Sequence, residues 1–192
     1  MTTTITSQDR VKILHEWNKN QVALIHEPGV DLTIIARETY PAIISAVLDR
    51  ARIDSLRSVV SQHNAAEQVE QVLVSLGLSG DRALVDDMRQ IVEKFLDQFA
   101  IKQANLRIEL LDSQSCPKFH CDARKIRLIT TYYGPTTQYR YADPNAEPVS
   151  MDLCAIAFLK GTTHPSHQGE HVLHRSPPVA NGQRRLCLVL DF

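Results

Sequence analysis

His120 and Asp122 stand one residue apart in 116-CPKFHCDARKIRLITTYYGP-135, and both side chains can bind a metal ion. In an extended chain residues i and i+2 point the same way, so the two can reach one ion. His174 follows after 51 intervening residues, in 173-LHRSPPVANGQRRLCLVLDF-192, with Arg184 and Arg185 ten and eleven residues beyond it. Two imidazoles and one carboxylate occupy one face of an octahedron and leave three positions open. That donor set suits non-haem Fe(II), which must accept a cosubstrate and O₂ together. An arginine on a neighbouring strand can pair with the carboxylate of a bound organic acid through its two-pronged donor geometry. The plain alternative is a set of unrelated polar residues in strand turns.

The neighbours of these residues have two readings each. Arg184 and Arg185 alternate faces in a strand, so only one can point inward. Tyr132 or Tyr133 could donate a hydrogen bond to the same organic acid, or be a core tyrosine with its hydroxyl satisfied. Arg127 could bind substrate, but a salt bridge is the favoured reading. Cys116, His120 and Cys121 hint at zinc, yet the chain has no second cysteine pair at zinc-site spacing. Cys121, Cys154 and Cys187 read as free buried thiols. Cys116, four residues before His120, belongs near the mouth of the site. The cluster 164-HPSHQGEHVLH-174 would line one face of a helix, but Pro165 and Gly169 oppose a helix there. A loop leading into the strand of His174 is expected, with His164, His167 and His171 mostly solvated.

Elements must hold these residues in place. The region 1–104 reads as helical. Asp31 could cap a short helix through Arg37, and Pro41 marks a helix start carrying Ile43, Ile44, Val47 and Leu48. Val69, Val72, Leu73 and Leu76 continue the pattern until Gly77. Leu84, Val85, Met88, Ile91, Val92, Phe95, Leu96 and Phe99 define the clearest helix, 82–99, with Asp81 as its cap. This stripe is core and should pack on the outer face of a sheet. From residue 105 the pattern becomes β-rich. Strands are expected at 106–112, 126–133, 138–141, 153–159 and 186–190. The break near 101–105 has no linker composition, so the two parts, 1–104 and 105–192, should share one core.

The chain has 192 residues, 43% hydrophobic and 22% charged, with a net charge of −1. Those figures suit a globular protein able to bury a core without staples, and give no electrostatic case for nucleic acid or an anionic membrane. No apolar run approaches the roughly 18 residues of a membrane span. The first residues lack the apolar region of a signal peptide. Four cysteines without framework spacing then fit reduced thiols and a cytoplasmic location.

The order His120-x-Asp122, His174 and an arginine some ten residues on resembles the Fe(II)/2-oxoglutarate-dependent dioxygenases, the prolyl-hydroxylase branch above all. There too a His-x-Asp strand passes an arginine and ends in Tyr-Tyr, and a second motif places Pro four residues after His, here Pro178 after His174. This likeness covers residues 105–192. The whole chain also resembles a bacterial family catalogued only as a domain of unknown function. Its hallmarks stand here as Cys116-Pro117-Lys118-Phe119-His120-Cys121-Asp122, Leu128 to Pro135, Lys160-Gly161, His174-Arg175-Ser176-Pro177-Pro178 and Arg184-Arg185 with Leu190-Asp191-Phe192.

The resemblance implies an α+β fold, with N-terminal helices packed on a small C-terminal double-stranded β-helix of the jelly-roll, cupin-like type. It implies Fe(II) on His120, Asp122 and His174, and 2-oxoglutarate chelated through its keto acid end. It favours Arg185 over Arg184 for the far carboxylate, because Val189 follows Arg185 by four residues on the same face. Oxygen would then be spent on decarboxylation to succinate and on hydroxylating a substrate, whether protein or small molecule. The family's association with zinc homeostasis supports an alternative: a non-catalytic zinc- or iron-binding protein with a metal-homeostasis partner, using the same triad plus Cys116 or loop histidines. A third reading is an interaction module with a vestigial site.

Overall fold

The computed structural model describes residues 10–38 and 45–192. The stripe read at 84–99 forms the longest helix, α4 (Arg82–Gln98), with Leu84, Val85, Met88, Ile91, Val92, Phe95 and Leu96 buried. Asp81 caps it, its carboxylate accepting the Leu84 amide at 3.1 Å. Before it, α3 (Ala65–Leu76) buries Val69, Val72, Leu73 and Leu76. Gly77 ends α3 in the left-handed region at φ 76°, which brings the Leu78 amide to the Leu73 carbonyl at 2.8 Å. Two shorter helices, α1 (Lys19–Val22) and α2 (Ser45–Arg50), and a 3-10 turn at Ala23–His26 complete the helical set among the described residues. The expected start at Pro41, with Ile43 and Ile44, lies outside the described residues.

Ten strands are present among the described residues, against five legible in the sequence. They are β1 (Val11–Leu14), β2 (Leu32–Ile35), β3 (Asp54–Val60), β4 (Ala104–Leu111), β5 (Ile126–Tyr133), β6 (Gln138–Tyr141), β7 (Val149–Ser150), β8 (Ile156–Lys160), β9 (Val172–Arg175) and β10 (Arg185–Asp191). A major sheet runs β1-β2-β8-β5-β10-β4-β3, and a minor sheet runs β7-β6-β9. All neighbours are antiparallel except β1 and β2.

The region before residue 105 is therefore not wholly helical, because three strands of the major sheet come from it. The helix expected from Asp31 to Arg37 is β2. Its four residues, Leu-Thr-Ile-Ile, are all buried. A strand covered on both faces shows no alternation, so periodicity cannot tell it from a buried helical turn. Asp31 instead pairs with Arg10 at 2.9 Å.

The register turns the major sheet into continuous cross-strand rows. Ser58, Leu106, Leu190, Leu128, Phe158 and Thr33 form one row on the outer face. This face packs on α3 and α4 and forms the main core. Arg57, Arg107, Val189, Ile129, Ala157 and Ile34 form a row on the inner face. The minor sheet covers the β2-β8-β5 end of that face, where Val172, Tyr139 and Tyr141 pack with Leu32, Ile34, Ile129, Ala157 and Leu159. The architecture is α+β: a double-stranded β-helix with helices on the outside of its larger sheet.

Candidate metal centre

Three elements bring the triad together. His174 lies on β9, paired with Tyr139 of β6 on one side. On its other side His120 forms an isolated antiparallel bridge with it, through amide-to-carbonyl hydrogen bonds of 3.0 and 2.9 Å. The two rings sit 4.5 Å apart. The segment before His120 is tied down along β9. Ser176 donates its amide to the Cys116 carbonyl at 3.0 Å, and the Gln114 side chain donates to the Ser176 carbonyl at 2.7 Å.

Asp122 is positioned by the end of β8. The Thr162 amide donates to the Asp122 carbonyl at 2.8 Å, and the Gly161 amide to the Lys125 carbonyl at 2.9 Å. A Cβ at position 161 would lie 2.0 Å from the Arg124 carbonyl oxygen and 2.7 Å from that of Asp122. Only glycine lets the two backbones approach this closely. Lys160-Gly161 thus has a structural task that the sequence did not reveal.

The ligand atoms of His120, Asp122 and His174 all lie within 4.8 Å of one another. Oδ1 of Asp122 accepts from Arg127 at 2.6 Å. Oδ2 is buried and accepts no hydrogen bond, although Nε2 of His174 is only 3.1 Å away. Nδ1 of His120 lies 3.0 Å from the Lys118 carbonyl. Donation there fixes the tautomer and leaves Nε2 bare toward Asp122, at 3.5 Å. Burial drives the His174 pKa down against the opposing pull of Asp122, so its imidazole is neutral at pH 7. Burial opposes the charge of Asp122, but contact with His174 and the charges of Arg127 and His120 hold its carboxyl below the ordinary value. A buried imidazole held neutral at His174, an ionised carboxylate and an orphaned buried oxygen are what a divalent cation requires. The donor set fits a metal ion bound by Oδ2 of Asp122 and one nitrogen of each histidine.

The triad opens on a cavity of ≈ 340 Å³ whose lining includes Cys116, Arg127, Thr137, Arg185, Glu109 and Arg107. Arg185 is 3% exposed. Its Nε donates to the Pro135 carbonyl at 2.9 Å, and Nη2 to the hydroxyls of Thr137 at 2.8 Å and Thr131 at 3.4 Å. Nη1 has no hydrogen-bond partner among the described residues. Arg184 points the other way and donates to the Leu48 carbonyl at the end of α2. Of the two arginines, Arg185 is the one in the cavity.

Other expectations resolve differently. Tyr132 is buried on the outer face, where its hydroxyl donates to Asp87 at 2.6 Å. Burial and the neighbouring Asp87 carboxylate push its pKa well above 10. Tyr133 lines a separate surface pocket with Leu48 and Arg184. Neither tyrosine reaches the cavity. Arg127 forms a salt bridge, bidentate to Asp191 at 2.6 and 2.7 Å, while its third nitrogen holds Asp122. Cys116 lies 3.7 Å from Nδ1 of His120, but its sulfur does not join the group of three. His167 and His171 stay near the surface of the loop, whereas His164 is buried rather than solvated, with Nε2 2.9 Å from Nδ1 of His26. Thr137, Glu109 and Asp191 were not singled out as site residues. Only the strand register, which places Glu109 opposite Cys187 and Asp191 opposite Arg127, could have marked the last two.

Solved Fe(II)/2-oxoglutarate oxygenases share the double-stranded β-helix fold. The structure is similar to dioxygenase for auxin oxidation 1 from Arabidopsis thaliana, solved as a 2-oxoglutarate binary complex. The TM-score is 0.51 at 9% identity, over 94% of this chain and 91% of that one. At that identity the likeness carries the fold alone. The rice dioxygenase for auxin oxidation aligns with a TM-score of 0.49 at 10% identity, over 94% of this chain and 81% of that one. A 2OG-Fe(II) oxygenase family oxidoreductase from Burkholderia pseudomallei aligns at 0.45 and 12%, over 95% and 94%. By sequence the chain belongs to the family described as "Protein of unknown function (DUF1826)", whose model matches residues 18–191. No curated protein matches it. No helix among the described residues is long and apolar enough to cross a membrane.

Proposed function

We propose that this protein is an Fe(II)/2-oxoglutarate-dependent dioxygenase of the hydroxylase type. One observation carries the reading: the convergent His120, Asp122 and His174, with Oδ2 of Asp122 orphaned, share a cavity with the buried guanidinium of Arg185. His120, Asp122 and His174 would hold Fe(II). Arg185, backed by Thr137, would take the far carboxylate of 2-oxoglutarate, as a planar fork does. Bound iron would supply the electron-transfer chemistry by which O₂, 2-oxoglutarate and a C–H bond become CO₂, succinate and an alcohol. The protein's own part is arrangement. His174 and then Arg127 keep Asp122 ionised, and Arg127 holds Oδ1 so that Oδ2 is left toward the histidines. Lys118 sets the tautomer of His120. Thr131, Thr137 and Pro135 fix the guanidinium of Arg185 before any acid arrives, which lowers the ordering cost of binding. All three ligands are nitrogen or oxygen, which suits oxygenase iron better than structural zinc.

Anaerobic titration of the apo-protein with Fe(II) and then 2-oxoglutarate, followed by visible absorption, tests this. A metal-to-ligand charge-transfer band is expected in the wild type. It is absent from His174→Ala, and in Arg185→Gln it forms only at much higher 2-oxoglutarate. Tight Zn(II) binding with no band in the wild type would sink the oxygenase and leave a metal-handling protein.

A further inference from the structure

The inner face of the major sheet is apolar where the minor sheet covers it and basic where it does not. The row that is Ile34, Ala157, Ile129 and Val189 on four strands ends in Arg107 on β4 and Arg57 on edge strand β3. Arg57 and Arg107 are direct cross-strand partners. Like charges directly opposite in a sheet repel, and within hydrogen-bonding range the pair meets one acid, Glu109, which it shares with Ser55. Among the described residues the side chain of Arg57 forms no ion pair or hydrogen bond. Nε of Arg107 is buried without a hydrogen-bond partner, although Oε1 of Glu109 lies 3.3 Å away. Arg124 approaches from the loop after Asp122, its Nε 4.0 Å from Asp191. The acids nearby are already engaged: both oxygens of Asp191 accept from Arg127, and Oε1 of Glu109 accepts from Ser55 at 3.0 Å.

These arginines line a depression of ≈ 450 Å³, floored by Asn105, Arg107 and Asp191. Arg107 and Arg127 line both this depression and the cavity of the triad, so the two are neighbours across a shared wall. A neutral or cationic ligand would gain nothing from such a surface. Two guanidinium forks side by side match an oxyanion, with parallel N–H donors to paired oxygens.

We infer that Arg57 and Arg107, assisted by Arg124, form an oxyanion subsite that holds a phosphate or carboxylate group of the substrate beside the metal centre. The inference builds on the oxygenase reading by naming the substrate's class: an anionic molecule whose charged group docks on the uncovered end of the sheet. Its target bond would then lie toward His120 and His174. This subsite is distinct from Arg185, which lies at the β5-β10 wall of the cavity and serves the cosubstrate in that reading.

The test needs no turnover. The full chain, with a chelator present, is titrated calorimetrically at low salt with inorganic phosphate and separately with acetate. Arg57→Gln and Arg107→Gln should each weaken the preferred anion about tenfold, the loss of one charge-assisted contact. Arg107→Lys, which keeps the charge but not the fork, should fall between. His174→Ala and Arg82→Gln, the latter on α4, should leave binding unchanged. Tighter phosphate than acetate identifies a phosphoryl substrate, and the reverse a carboxylate. Arg57→Gln, on an exposed edge position, carries the test if Arg107→Gln fails to fold. Anion binding that survives loss of Arg57 and Arg107, or disappears only in Arg185→Gln, overturns the subsite while leaving the metal centre standing. Anion binding that needs both arginines in a protein that takes up no Fe(II) upholds the subsite and removes the oxygenase.

Discussion

The two faces of the major sheet are made by the same strands, and they differ in what finishes them. On the outer face α3 and α4 complete the packing, and the buried charges there find partners within the chain. Arg37 and Tyr132 both bond Asp87, and Lys160 donates to the Glu27 carbonyl at 2.6 Å. The orphaned hydroxyls on that face, Thr33 and Thr130, are neutral. On the inner side Oδ2 of Asp122 and Nε of Arg107 accept or donate no hydrogen bond and both line the cavity, whereas the one charged orphan before β2, Oδ1 of Asp31, belongs to a carboxylate already paired with Arg10. Each of the two cavity groups has an ion-pair partner, Arg127 for Asp122 and Glu109 for Arg107, and still keeps a buried polar atom without a hydrogen bond, which costs more on a charged group than on a hydroxyl. The outer face is closed by helices, while the inner face leaves half-made polar contacts around an open cavity. Stability belongs mainly to the first and binding to the second.

The sharpest way to break this division is to damage the outer face and read the inner one. Phe95 is fully buried among Phe99, Phe158 and Phe192, with ring centroids 5.2, 6.5 and 5.7 Å away. Phe95→Ala should cost about 3–5 kcal/mol in urea unfolding, a large share of the typical 5–15 kcal/mol total. The protein that remains folded should bind Fe(II) with unchanged affinity. A metal affinity that fell in step with stability would show that the triad depends on the helical layer, and the division would fail.

Much of the outer face was legible in the sequence. The α4 stripe stands where its three- and four-residue spacing behind Asp81 places it, and β5 where a β-branched and aromatic run ends at Gly134-Pro135; on the minor sheet, β6 stands at the short strand read in the proline-rich stretch. Strands β2 and β3 were hidden for opposite reasons. In β2 every residue is buried, so nothing alternates, and in β3 polar residues stand on both faces. The triad was legible because strand parity aligns His120 with Asp122. His174 was a candidate third ligand by residue type alone, while the choice of Arg185 came through resemblance, and the β10 register explains that choice. The arginine row was not legible, since Arg57 and Arg107 are separated by 49 intervening residues and become partners only through β3-β4 pairing. Nor was the burial of His164, whose partner His26 lies 138 residues earlier.

Acid should separate the two regions by a smaller amount. Burial, then the charge of Lys160 and the neighbouring His26, lowers the pKa of His164 from 6.5 to about 4. Its Nδ1 accepts the Ser166 amide at 3.1 Å, so a proton there displaces that bond. Because the folded-state value is depressed, the stabilisation is fully present above pH 6.5 and is lost as pH falls toward 4. The expected loss is on the order of 2–3 kcal/mol. His174, also depressed by burial, adds a loss of the same sign from the inner side. Thermal unfolding of metal-free protein between pH 7.5 and pH 5 should show a reduced slope in His164→Gln and, separately, in His174→Ala. Added metal should blunt the His174 part alone. An unchanged slope in His164→Gln would mean that this histidine is not buried neutral.

The smallest effect discriminates between the faces at a single strand. Tyr132 and Thr131 are consecutive in β5, so one faces the helices and the other faces the cavity. Tyr132→Phe removes the hydrogen bond to Oδ2 of Asp87, but that oxygen keeps its bond from Arg37 at 3.0 Å. No buried charge is orphaned, so the cost should be only about 1 kcal/mol. Fe(II) and 2-oxoglutarate affinities should not move. Thr131→Val, one residue away, should cost a similar amount of stability by removing a weak 3.4 Å contact and a buried hydroxyl. It should also loosen Arg185 and raise the 2-oxoglutarate concentration needed for the charge-transfer band. A Tyr132→Phe protein with weakened cosubstrate binding would reverse the assignment of faces at this strand. Equal insensitivity of both variants would instead leave Thr137 and Pro135 as the groups that fix Arg185.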